Sequence, residues 1–166
     1  MANEIVMTKE GYDDLVKELN ELKTTRRAEI SEKIRVARGF GDLSENSEYD
    51  EAKNEQAQVE ARIAQIEGML KIARVIDDAA IDTDTVSIGT RVKILDIEFD
   101  DEDEYSIVGS SEADPSQNRL SYESPVGKAL LGKKVGDCFT VFVNDNYSYD
   151  AVIRSTIQFK ILDISR

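Results

Sequence analysis

Residues 38–49 read Arg38-Gly39-Phe40-Gly41-Asp42-Leu43-Ser44-Glu45-Asn46-Ser47-Glu48-Tyr49, and they interrupt two long charged segments that otherwise read as continuous helix. Gly39 and Gly41 can take the backbone conformations that end a helix, and Asp42 followed three residues later by Glu45 is how a second helix would begin. The pattern predicts a helical hairpin with an acidic turn. Asp42 as N-cap and Glu45 at the N3 position form a variant of the capping box, which explains both carboxylates structurally. Each carboxylate keeps a second oxygen for a ligand, and spacing by itself leaves both readings open. Two such acids can share a magnesium ion, but they leave most of its octahedral shell to other ligands.

Working outward, Met7-Thr8-Lys9-Glu10 opens the first helix, with Thr8 as N-cap and Glu10 and Asp13 favouring the positive end of its dipole. Apolar positions recur at Tyr12, Leu15, Leu19 and Leu22, the seam of a coiled coil. Arg26 then falls where the next apolar residue should be, and Ile30, Ile34 and Ala37 resume the stripe at a spacing nearer an eleven-residue repeat. The return segment keeps strict three-four steps through Tyr49, Ala52, Gln56, Val59, Ile63, Ile66, Leu70 and Ala73. Two such stripes joined by a short glycine-containing turn pack antiparallel. Lys23, Arg27, Arg35 and Arg38 share one side of the outgoing helix and predict a basic stripe leading to the acidic turn. Periodicity by itself is equally compatible with a spacer or a dimerisation arm.

Beyond Arg74 the heptads give way to short alternating runs. The polar stretch from Val75 to Asp84 separates residues 1–77, the hairpin, from residues 78–166. Strands are predicted at Val86–Ile88, Arg91–Ile97, Tyr105–Val108, Leu120–Tyr122, Cys138–Val143, Ala151–Thr156 and Gln158–Ile164. One short helix is predicted at Pro125–Leu131, with Ser124 as cap and Gly132 after its end. The fold class is therefore α+β: an N-terminal antiparallel coiled-coil hairpin followed by a small antiparallel sheet carrying one short helix. The acid run from Asp100 to Glu104 reads as a solvated hairpin loop, since Ser106 stands where a calcium loop beginning at Asp101 needs glycine. Cys138 reads as a small core residue in a strand.

Composition narrows the chemistry. The 166 residues contain no histidine and one cysteine, which excludes His-based zinc sites, His-dependent triads and an internal disulfide. The formal charge of −13 argues against an independent grip on nucleic acid; residues 1–74 carry a net −4 and residues 75–166 a net −9. No apolar run approaches the roughly 20 residues a bilayer demands and the N-terminus lacks a signal-peptide pattern, so a cytoplasmic location is expected.

The run Ala37 to Tyr49, on a hairpin of this length, resembles the tip of the bacterial Gre transcript cleavage factors. Tyr105-Ser106-Ile107-Val108-Gly109, Glu112-Ala113-Asp114 and the run Ser124 to Asp137 resemble the corresponding blocks of that family's C-terminal domain, so the likeness spans nearly the whole chain. It implies an FKBP-like C-terminal fold, without implying isomerase activity. It also implies a partner, bacterial RNA polymerase, whose secondary channel admits the hairpin and whose rim helices meet the C-terminal domain. On that likeness Asp42 and Glu45 are the activating acids that share the polymerase's Mg2+, Arg38 and Lys53 meet the nascent RNA 3′ end, and Ser124 and Pro125 dock on the polymerase. The expected protein is not itself an enzyme: a monomer without membrane attachment that stimulates the polymerase's intrinsic cleavage of backtracked RNA. The low pI of about 4.5 resembles the less basic of the family's two branches. Two other readings fit the same sequence: a channel-binding regulator without cleavage activity, and a structural adaptor whose hairpin dimerises.

Overall fold

The computed structural model describes residues 3–41, 46–142 and 156–166. They fall into two compact units, a helical one over residues 10–73 and a sheet unit made of residues 4–9 and 74–166.

In the helical unit, α1 (Lys9–Glu21) runs through a π turn (Leu22–Arg26) into α2 (Arg27–Arg38), and the chain returns as α3 (Ser47–Lys71). The expected uninterrupted helix is thus corrected at one place, and the apolar spacing supplies the reason. Leu22 and Ile30 stand eight residues apart, one more than a heptad, and a π turn absorbs a single extra residue so that both side chains reach the same seam. Arg26, at the failed seam position, points its guanidinium at Glu29 (2.8 Å) and at Glu55 across the hairpin. Ile30, Ile34, Ala52, Val59 and Ile63 form the buried seam, flanked by Leu19, Leu22 and Tyr49. Ion pairs between Arg27 and Glu60, Lys33 and Glu55, and Glu18 and Arg62 confirm the antiparallel sense, since partners advance on one helix as they recede on the other.

In the sheet unit, two short strands that periodicity does not reveal pair with each other, β1 (Ile5–Met7) and β2 (Ala73–Val75). Three residues are too few to display alternation. The main sheet contains β3 (Arg91–Asp96), β4 (Asp101–Val108), β5 (Arg119–Ser121), β6 (Cys138–Phe142) and β7 (Thr156–Ser165) in the order β5-β4-β3-β7-β6. All neighbours are antiparallel except β4 and β5, which run parallel because the ten residues between them fold through two 3-10 turns and bring the chain back to the same end. The short helix α4 (Pro125–Leu130) has Ser124 as cap and Pro125 at its first position, as expected. Val92 and Ile94 of β3, Ile107 of β4, Phe139 and Val141 of β6, Ile161 and Ile164 of β7, and Leu130 of α4 form the core.

Three expectations for this unit are corrected. Residues 86–88 do not form a strand; Val86 instead exchanges single backbone bonds with the Gly132–Lys133 turn and buries its side chain in the core. The acid run is not a loop, because Asp101 to Glu104 are the exposed first half of β4. There Glu104 stands opposite Lys93, whose ammonium reaches the diagonal Glu102 at 3.0 Å, and cross-strand pairing overrides the low strand propensity of these acids. Cys138 does lie in a strand but is exposed, since Phe139 and Val141 take the core-facing parity of β6 and leave Cys138 on the other face. The predicted strand Ala151–Thr156 lies almost wholly outside the described residues.

Candidate functional site at the hairpin tip

The end of α2 closes stepwise. Gly39 donates to the Val36 carbonyl and Phe40 to that of Ala37, and Gly41 takes φ +98°, a conformation that favours glycine. The chain re-enters helix at Ser47 with Asn46 as the N-cap, whose Oδ1 accepts the Tyr49 N–H at 3.1 Å. The cap assigned to Asp42 is therefore corrected: that role belongs to Asn46. A capping reading from the Asp42–Glu45 spacing misses it because the two frames are four residues apart and both begin with a good cap. Asn46 also donates through Nδ2 to the Ala37 carbonyl in the last turn of α2, tying the two helices together. Asp42 and Glu45 lie outside the described residues, between the defined positions Gly41 and Asn46.

Arg38, the last residue of α2, holds its guanidinium 5.9 Å from the centre of the Tyr49 ring, a cation–π contact. It is exposed and has no carboxylate partner among the described residues. Lys53, on the second turn of α3, is exposed and donates to Gln56 Oε1 at 2.7 Å. The rest of the predicted basic stripe is largely neutralised: Lys23 pairs with Glu67, Arg27 is bidentate with Glu60, and Arg35 is bidentate with Glu32. Hydrogen bonds from Arg27 and Arg35 hold the Glu60 and Glu32 carboxyls below their ordinary range. Reach across the hairpin neutralises Lys23 and Arg27, a pair three residues apart within α2 neutralises Arg35, and Arg38 is the member of the stripe left without a counter-ion among the described residues.

In the sheet unit, Ser124 Oγ accepts the Gly127 N–H at 3.1 Å and donates to the Ser121 carbonyl at 2.7 Å, while Pro125 is exposed beside it. The hydroxyl is engaged on both sides by its own domain. A residue the motif reading used only for resemblance proves structural here: Glu112, whose side chain is 4% exposed, accepts from the Thr8 N–H at 2.9 Å and hydroxyl, from the Gly109 N–H at 3.1 Å, and pairs with Arg119.

Among the described residues no group of three or more acidic, histidine or cysteine side chains is placed to hold a metal ion, and no helix is long and apolar enough to cross a membrane.

Residues 5–75 match the family described as transcription elongation factor, N-terminal, and residues 81–166 match transcription elongation factor, GreA/GreB, C-term. The chain is 58% identical over 163 residues to transcription elongation factor GreA of Acetivibrio thermocellus, covering 98% of this chain and 97% of that one. It is 55% identical over 166 residues to GreA of Caldanaerobacter subterraneus subsp. tengcongensis, covering both chains completely. Among solved structures, GreA factor homolog 1 (Gfh1) of Thermus thermophilus is 25% identical with a TM-score of 0.43, covering 99% of this chain and 100% of that one. With both halves matched in order and the identity sustained from end to end, the chain belongs to the GreA/GreB family of transcription elongation factors.

Proposed function

We propose that this chain relieves arrested transcription by entering the secondary channel of bacterial RNA polymerase with its hairpin and stimulating the polymerase's intrinsic cleavage of backtracked RNA. The observation that carries the reading is the tied end of the hairpin. A rod of some 30 helical residues, about 45 Å long, ends at Arg38, and Asn46 bonds back to Ala37, so that Asp42 and Glu45 fall in a four-residue connection at its extremity. With Asn46 acting as the cap, α3 does not need either acid to begin.

The magnesium belongs to the polymerase active site, and when bound it supplies activation of water and charge stabilisation at the leaving oxygen. Asp42 and Glu45 contribute oxygen ligands that the polymerase lacks and help orient the attacking water. Arg38, in cation–π contact with Tyr49, meets the extruded RNA 3′ end, and Lys53 adds a second charge on α3. Ser124 holds the start of α4 so that Pro125 presents its ring to the polymerase rim helices. The chain acts as a monomer and performs no chemistry without the polymerase.

The test is a stalled, backtracked elongation complex with separately labelled 3′ and 5′ RNA ends, magnesium, and the protein with or without Asp42→Asn. Cleavage should require both polymerase and wild-type protein and be largely lost with the variant. Normal stimulation by Asp42→Asn would remove the ligand role. Binding without cleavage by the wild type would make it a channel-occupying regulator instead.

A further inference from the structure

On one flank of the hairpin the seam narrows to two small residues, Ala37 and Ala52, and the longer side chains around them enclose a groove of about 520 Å³. Its floor is aliphatic: Ala37, Ala52 and Val36, the last 44% exposed. Its rim is acidic, with Glu29 and Glu32 from α2 and Glu48, Glu51 and Glu55 from α3 against a single cation, Lys33. Three of these acids are already held. Arg26 binds Glu29, Arg35 binds Glu32, and Glu55 is shared by Lys33 and Arg26. Glu48 and Glu51 have no cationic partner among the described residues, so the groove keeps its unneutralised charge on the α3 side.

An apolar floor beside two unpaired carboxylates is complementary to one kind of group, a cation on a long aliphatic stem. We propose that the groove receives a lysine or arginine side chain from a basic polypeptide segment lining the polymerase channel, its methylenes on Val36 and Ala52 and its head group between Glu48 and Glu51. The proposal rests on the functional reading above and deepens it by assigning a second contact, with protein rather than RNA. A phosphate backbone is excluded by five clustered carboxylates, and a hydrated divalent ion gains nothing from an aliphatic floor.

The experiment uses full-length protein, backtracked elongation complexes and the Glu48→Gln/Glu51→Gln double variant. The concentration for half-maximal stimulation should rise about five- to tenfold, as expected for loss of a partly desolvated charge contact, while the rate at saturating protein stays unchanged. A urea unfolding curve matching wild type establishes that the fold is intact. In a second arm, Val36→p-benzoylphenylalanine in the otherwise wild-type chain should cross-link to a Lys/Arg-containing polypeptide segment of the polymerase. An unchanged half-maximal concentration, or a cross-link to RNA, overturns the groove assignment while leaving the functional reading standing. A wild-type chain that fails to bind the polymerase overturns both.

Discussion

Asn46 donates its side-chain N–H to the backbone carbonyl of Ala37 while its Oδ1 caps α3, so a single amide both starts one helix and fastens it to the end of the other. The first bond gives the Ala37 carbonyl, which also accepts from Phe40, a second donor, and the other satisfies a helix-terminal N–H that would otherwise depend on water. Replacing Asn46 by alanine removes both and should destabilise the hairpin by about 1–2 kcal/mol. Asn46→Asp keeps the cap acceptor, loses the donor and should fall between the two. Urea unfolding followed by helical circular dichroism checks the order, and equal stability of Asn46→Asp and wild type would show that the Ala37 bond contributes nothing.

Arg38 and Arg27 lie on one helix but in different electrostatic settings. Arg27 is bidentate with Glu60, whereas Arg38 makes a cation–π contact with Tyr49. Arg27→Ala should change stability only within the small margin of exposed ion pairs and leave transcript cleavage near normal. Arg38→Ala should leave stability within the same margin and reduce cleavage. Arg38→Lys should restore only part of it, because an ammonium does not reproduce a planar guanidinium over a ring. Equal cleavage losses from Arg27→Ala and Arg38→Ala would contradict the distinction.

Glu112 is nearly inaccessible and gathers donors from Thr8, Gly109 and Arg119. Glu112→Gln preserves shape but removes the charge that strengthens these bonds, and should cost about 1.5–3 kcal/mol. Beside it, a Cβ on Gly109 would stand 2.1 Å from the Val6 carbonyl oxygen, a backbone atom that cannot swing away. Gly109→Ala should therefore destabilise the sheet unit, by about 1–3 kcal/mol. Denaturant midpoints read from near-ultraviolet tyrosine signals test both.

The hairpin should lose stability in acid. A hydrogen bond from Arg62 lowers the Glu18 carboxyl from its ordinary 4.5, and bonds from Lys33 and Arg27 lower Glu55 and Glu60 in the same sense. Carboxyls depressed in the folded state stabilise it fully above about pH 4.5, and that contribution is lost as pH falls through the depressed values. Thermal midpoints measured from pH 7 down to pH 3 should decline in the acid range, and Glu18→Gln should flatten the slope. A slope unaffected by Glu18→Gln would assign the acid sensitivity to other groups.

Several features could be read directly from residue order because they depend on neighbours within one or two turns. The three-four spacing of Tyr49 through Ile66 specifies a helical face, the glycines at 39 and 41 end a helix, and Ser124-Pro125 starts one. The same locality explains why the blocks that carry the family likeness were recognisable in one sequence. What depended on partners distant in the chain was decided only by the tertiary structure. Glu60 and Glu67 neutralise the cations that a single-helix wheel presents as a free stripe. Pairing with β3 makes a strand of an acid run, and the core-facing parity of Phe139 turns Cys138 outward. Ala37 selects Asn46 over Asp42 as the cap, because a residue that serves both the new helix and the old gains two bonds where a cap alone gains one. Residue order specifies the short-range angles; which of several locally acceptable choices prevails is decided by the contact that folding brings from the other side.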